Sequence, residues 1–276
     1  MNMTRKNIAM LLFVFAVFLL TPDFSSAAEK LIDCDFEEGA NWNYGDHFDL
    51  WGEYLGDEWT IVSSDKHGGN YSAQSRDPNP GGILESSGFH FDISSWYTWG
   101  SEIFIRFWAK HPVDFVPEAT DENRGCNQFR IGTGLSGDWT SGIEYIANGY
   151  QNSTFLHFYY DARSAYGTPP LYVYDGQWHE YAVYLRQPTS DSSANGRWVA
   201  WRDANGTYDD STALYTRDNI AQDLPWSHIY FGNYYKGECS GNWTFWVDDI
   251  DVWNGMPGGD SQDTTPPASP SGLNVS

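Results

Sequence analysis

The stretch Gly241–Gly255, "GNWTFWVDDIDVWNG", sets Asp248, Asp249 and Asp251 in a ribbon of Trp243, Phe245, Trp246, Val247, Ile250, Val252 and Trp253. Acids are poor strand formers, and unpaired ones are costly in an apolar setting. Three roles are open to them: catalytic acids, ligands for a cation, or a wet outer face. Strict alternation groups Val247 with Asp249 and Asp251, and sets Asp248 with Ile250 and Val252 on the other side. Val247 and Ile250 can both face a core only if a bulge falls near Asp248–Asp249.

Other segments share the period of two. "EIFIRFWAK" (102–110) puts Ile103, Ile105, Phe107 and Ala109 on one face and Phe104, Arg106, Trp108 and Lys110 on the other. "NQFRIG" (127–132) alternates Phe129 and Ile131 with Gln128 and Arg130, and "FLHFYYD" (155–161) alternates Leu156, Phe158 and Tyr160 with Phe155, His157 and Tyr159. "LIDCDF" (31–36), "WTIVS" (59–63), "GFHFDI" (88–93), "WHEYAVYLRQ" (178–187), "RWVAWRD" (197–203) and "HIYFGNYY" (228–235) add strands. No stretch beyond the N-terminal segment keeps a helical period. Short strands with turn residues between them predict an all-β, two-sheet antiparallel sandwich.

Residues 1–28 read as a secretory signal: Arg5 and Lys6, the apolar run "IAMLLFVFAVFLL" (8–20), then the small residues "SSAA" (25–28). The expected location is therefore secreted, extracellular or at the cell surface. Residues 29–254 form the expected domain. Residues 255–276, rich in Gly, Ser, Pro and Thr, read as a linker. The net charge of −22 argues against nucleic acid and anionic membrane surfaces as partners. Cys34, Cys126 and Cys239 allow one disulfide, and the polar settings "NRGCNQ" and "KGECSGN" favour Cys126–Cys239.

Three pieces carry a family resemblance: "DFEEGANW" (35–42), "YDGQWHEYAVYLRQ" with "NGRWVAWRDANG" (174–206), and "IYFGNYY" with "TFWVDDIDVW" (229–253). Together they resemble the concanavalin A-like lectin/glucanase superfamily, which includes laminin-G-like modules and jelly-roll polysaccharide lyases. The final "DTTPPASPSGLNVS" resembles the approach to a fibronectin type III domain, of which only a truncated start is present. The larger resemblance implies a jelly roll with a concave sheet that holds sugar. On the alternation above, that face is lined by Arg106, Trp108, Lys110, Gln128, Arg130, His157 and Tyr159, with Trp201 and Tyr230. Aromatic faces suit sugar C–H surfaces, and polar side chains suit hydroxyls.

The first reading is thus an exported carbohydrate-binding module for a polysaccharide or glycan. The alternative is a polysaccharide lyase acting on a uronate glycan, with Arg130, His157 and Tyr159 as its chemistry, since β-elimination needs a cation for the carboxylate and a base for the C5 proton. A third is a structural or adhesive module of a larger surface protein. The Glu-x-Asp-x-x-Glu spacing of related glucan hydrolases is absent from the candidate strands. The resemblance further implies that the first and last strands pair, tied by a structural calcium at Glu37 and Asp249. On that reading Asp248 and Asp251 are solvated neighbours. No organic cofactor is expected.

Overall fold

The computed structural model describes residues 28–39, 48–51, 59–75, 86–113, 126–132, 142–148, 153–158, 174–221, 225–235 and 244–257. These hold β1 (Lys30–Cys34), β2 (Phe48–Trp51), β3 (Trp59–Val62), β4 (Ser72–Ser75), β5 (Ser86–Asp92), β6 (Glu102–Lys110) and β7 (Cys126–Gly132). They continue with β8 (Gly142–Asn148), β9 (Ser153–Phe158), β10 (Trp178–Arg186), β11 (Gly196–Arg202), β12 (Tyr215–Ile220), β13 (His228–Tyr235) and β14 (Phe245–Trp253). The strands form two antiparallel sheets. The eight-stranded sheet runs β12-β11-β10-β6-β14-β4-β3, with β1 also paired to β14, and the six-stranded sheet runs β2-β5-β13-β7-β8-β9. The chain is an all-β, two-sheet jelly-roll sandwich.

Period-two alternation builds the core between the sheets. Ile103, Ile105, Phe107 and Ala109 of β6 are buried there, with Phe129 and Ile131 of β7 and Phe89, Phe91, Ile229 and Phe231 of β5 and β13. Aromatic rings bridge the layers: Phe107 stacks on Phe129 at 5.2 Å and meets Phe231 edge-on at 5.0 Å. Offset and edge-on pairs of this kind add to the gain from area burial.

The closing strand behaves as its sequence demands. Val247, Ile250 and Val252 are all in the core, which requires the register shift that falls between Asp248 and Asp251 against β6. Asp249 at the bulge has φ 47°. At the same point β14 changes partner on its other flank. Phe245–Val247 pair with β4, whereas Ile250–Trp253 pair with β1. The bulge therefore fills the junction between two strands that share one edge. The aspartates there are not solvated: Asp248 and Asp251 are both buried.

Candidate functional site: the outer face of the six-stranded sheet

The nine expected lining residues do not share a face. Arg106, Trp108 and Lys110 lie on β6 and Trp201 on β11, in the eight-stranded sheet; Gln128 and Arg130 (β7), His157 (β9) and Tyr230 (β13) belong to the other sheet. The outer faces of a two-layer sandwich point away from each other. Local periodicity gave each strand two faces correctly, but it carries no information about which sheet a strand joins. Tyr159 lies outside the described residues. So does Cys239, so the Cys126–Cys239 pairing cannot be followed; Cys34 is buried in the core.

On the eight-stranded sheet the expected lining residues are occupied by the protein itself. The Arg106 guanidinium donates to Asp251, which also pairs with Lys30 at 2.8 Å. Lys110 pairs with Asp65 at 2.7 Å, and the Trp178 indole N–H donates to the same carboxylate. The His67 ring stacks on Trp108 with centroids 3.6 Å apart. Trp201 is buried against Phe104, Tyr184 and Trp253, beneath Tyr208 and Ala213, and its indole N–H donates to the Asp209 carbonyl at 2.8 Å. Charged and aromatic positions here hold down the segments 63–71 and 203–214.

Segment 63–71 is fastened from two strands. Asp248 accepts the main-chain N–H of His67 at 2.9 Å and of Gly68 at 3.4 Å. Burial pushes its carboxyl up to about 8, and the neighbouring Asp249 carboxylate adds to the rise, against the lowering effect of those N–H donors. Asp249 meets His67 Nδ1 at 2.7 Å. Glu37 accepts N–H groups of Asn70 at 2.6 Å and Tyr71 at 3.0 Å, and the Asn70 side-chain amide at 2.8 Å.

The two expected calcium ligands thus reach opposite ends of one short segment. Gly69, at φ +47°, leaves room that a Cβ would fill by colliding with the Glu37 carboxylate. A half-turn of the Asn70 amide presents an oxygen beside Glu37 instead of a nitrogen. Glu37 and a turned Asn70 amide would then offer side-chain oxygens to one point, against the six to eight that a calcium shell needs. Among the described residues no group of three His, Cys, Asp or Glu side chains gathers around one point.

The six-stranded sheet presents a different pattern. Its register aligns Asp49 of β2 with His90 of β5, and His90 with Tyr230 of β13. Tyr230 aligns with Arg130 of β7, Arg130 with Glu144 of β8, and Glu144 with His157 of β9. One unbroken row thus crosses all six strands at the positions between core residues: Phe89 and Phe91 flank His90, Ile229 and Phe231 flank Tyr230, and Phe129 and Ile131 flank Arg130. Neighbouring strands lie about 4.8 Å apart, so the row spans roughly 24 Å.

His90 and Tyr230 are 2% and 5% exposed although neither joins the intersheet core. Their rings lie 5.4 Å apart, and His228, held by Ser227 Oγ at 2.6 Å, lies 5.3 Å from His90. The row contains the positions of Arg130, His157 and Tyr230. It adds Asp49, His90 and Glu144, which the sequence reading missed. The signal for His90 was present in "GFHFDI", where Phe89 and Phe91 claim the core and leave residue 90 to the outer face.

No protein-family model matches the chain, and no curated protein sequence matches it. Solved structures do resemble it. The endo-β-1,4-glucuronan lyase from the fungus Trichoderma reesei superposes with a TM-score of 0.53 at 18% identity, covering 81% of this chain and 95% of that one. The alginate lyase vAL-1 from Chlorella virus gives 0.49 at 14% identity, covering 82% and 100%. The carbohydrate recognition domain of Emp47p gives 0.48 at 6% identity, covering 84% and 98%. The first of these similarities supports the jelly-roll sandwich.

Proposed function

We propose that the outer face of the six-stranded sheet binds a uronate-containing polysaccharide and cleaves it by β-elimination. The observation that carries this reading is the strand register, which aligns positions 49, 90, 230, 130, 144 and 157 in one row and so places an arginine position next to those of Tyr230 and His90. Arg130 neutralises the uronate carboxylate and so stabilises the carbanion that forms at C5. His90 and Tyr230 supply the acid–base pair. One takes the C5 proton, the electron pair becomes the C4=C5 double bond as the C4–O4 bond breaks, and the other gives a proton to the departing oxygen. The glucuronan lyase similarity is in keeping with this chemistry.

The second reading is binding without cleavage on the same face. The low exposure of His90 and Tyr230 favours it, because recessed groups contact a polymer less readily than they support a surface that does.

The test is ultraviolet absorbance of the unsaturated product with glucuronan, alginate and pectate, run beside affinity electrophoresis. The expected result is product from at least one polymer, lowered about 100-fold or more by Arg130→Ala or Tyr230→Phe. Retention without product selects the binding reading. Neither product nor retention refutes both. Calcium beside Glu37 belongs to this proposal as a structural tie, outside the reaction.

A further inference from the structure

We propose that the eight-stranded sheet carries a second glycan-binding face, separate from the uronate site, that takes a flat, uncharged, equatorially linked polysaccharide. Four side chains in one cross-strand row form it: Gln74 of β4, Trp246 of β14, Lys110 of β6 and Trp178 of β10. All four are partly exposed. They face outward, because the strand neighbours Ala73, Phe245, Val247 and Ala109 lie in the intersheet core. The register shift of β14 against β6 begins only beyond Asp248, so the row crosses these four strands without a bulge. It sets Trp246 and Trp178 two strands, or about 9.6 Å, apart.

Asp65 fixes both the cation and one of the rings. Its carboxylate accepts from Lys110 Nζ at 2.7 Å and from the Trp178 indole N–H at 3.2 Å. The Lys110 and Asp65 side chains are 21% and 25% exposed, so a hydroxyl can reach the pair. Lys110 Nζ also lies 5.5 Å from the centroid of the Trp246 ring. Two indoles are thus held on either side of an ion pair before a ligand arrives, which limits the freedom lost on binding. Indole faces suit the C–H faces of a pyranose, and a Lys–Asp pair offers donors and acceptors to its hydroxyls. Asp65 already balances Lys110, so a carboxylate gains little here, and the net charge of −22 further favours an uncharged chain. Two rings in line are met by an extended β-linked chain, whereas a coiled α-linked chain turns away from one of them. Trp246 points the same way. Its N–H is enclosed and finds no acceptor among the described residues. A phenylalanine would cover the same patch of sheet without stranding a donor, so the indole answers a need other than packing.

Dissociation constants by affinity electrophoresis test this face apart from the uronate site. Hydroxyethylcellulose serves as the uncharged β-1,4-glucan, soluble starch as its α-linked counterpart and glucuronan as the uronate polymer. Wild type should bind hydroxyethylcellulose about ten-fold or more tighter than starch. Trp178→Ala should weaken that binding about ten-fold and leave glucuronan binding unchanged. Trp246→Phe should weaken it about three-fold or more while the melting temperature holds or rises, since the stranded donor is gone. Should Trp178→Ala fail to fold, wild type titrated with cellohexaose decides instead: the indole N–H resonances of Trp178 and Trp246 should both shift. Absent hydroxyethylcellulose binding, starch bound as tightly, or indole resonances that stay in place overturn the inference. So does binding unmoved by a folded Trp178→Ala, or a Trp246→Phe variant that melts lower and binds as wild type, which marks the ring as packing alone. Glucuronan binding lost together with hydroxyethylcellulose binding in a folded Trp178→Ala overturns both this face and the placement of the uronate site. Hydroxyethylcellulose binding kept in a wild type that ignores glucuronan leaves this face standing and removes the other.

Discussion

Asp251→Ala separates a structural ion cluster from a ligand face. Asp251 is 5% exposed and accepts from Lys30 at 2.8 Å and from the guanidinium of Arg106, itself 15% exposed. Removing the carboxylate leaves Arg106 nearly buried without its bonded acid and with only the charge of Glu180 acting on it, while Lys30 keeps Asp33 at 3.3 Å. Breaking a buried pair from one side costs about 3–5 kcal/mol, most of it the stranded charge. With a urea m-value of about 2 kcal/mol/M, a loss of ~3 kcal/mol lowers the midpoint by about 1.5 M at unchanged m. The double variant Arg106→Met/Asp251→Leu removes both charges and should return to within about 1 kcal/mol of wild type, as apolar replacement of a buried pair commonly does. Glycan retention should be untouched in both, because the cluster lies on the other sheet. A midpoint shift below about 0.5 M for Asp251→Ala, equivalent to ~1 kcal/mol, refutes the structural role. Lost glycan retention in a folded variant refutes the placement of the site.

Three further outcomes follow from the same geometry. Trp108→Ala removes the platform under His67 and should cost about 3 kcal/mol in urea unfolding without changing glycan affinity. Burial holds the Glu180 carboxyl above its ordinary range, despite the hydrogen bond from the Tyr208 hydroxyl. A carboxyl raised in the folded state favours folding below its unfolded pKa of about 4.3, and that contribution is lost as pH rises through the folded value. Glu180→Gln should therefore gain on wild type as pH rises from about 4, read as the difference in urea midpoints; a difference that is flat or falls with pH contradicts this. Calcium at Glu37 should make EDTA lower the melting temperature by about 5 °C or more, relative to calcium about 100-fold above its Kd. An unchanged melt rejects the ion and leaves the direct bonds to Asn70 and Tyr71 as the whole tie.

Much of the fold was legible because its strands state their period. "EIFIRFWAK" coincides with β6, and "HIYFGNYY" with β13. Of the four missed strands, β2 ("FDLW") and β8 ("GIEYIAN") carry a short alternation that was overlooked, whereas β4 and β12 lack one. "SAQS" of β4 has a single apolar residue, and "YTRDNI" of β12 is a polar strand at the sheet's edge. Edge strands keep charge to discourage pairing with other chains, so polarity there is a property of the position. The bulge in β14 was also legible, since Val247 and Ile250 could not otherwise share a core. The burial of Asp248 and Asp251 was not. It depends on Lys30, Arg106 and the N–H groups of residues 67 and 68, all remote in sequence.

The site shows the same limit more sharply. Residues 106, 108 and 110 looked like residues 128, 130 and 157 because each set alternates with core positions, and alternation is all that a single strand reveals. What distinguishes them is pairing. β6 lies between β10 and β14, where Asp251 of β14 pairs with Arg106 and Asp65 of segment 63–71 pairs with Lys110. β7 lies between β13 and β8, where Tyr230 and Glu144 are its register partners. Paired charges on the eight-stranded sheet fasten surface segments. A search for function in a sandwich sequence should therefore give less weight to the number of polar outward residues on a strand. More telling is which residues the register sets beside each cation: Asp251 beside Arg106 on β6, but Tyr230 and Glu144 beside Arg130 on β7, a difference that only the pairing of the strands creates.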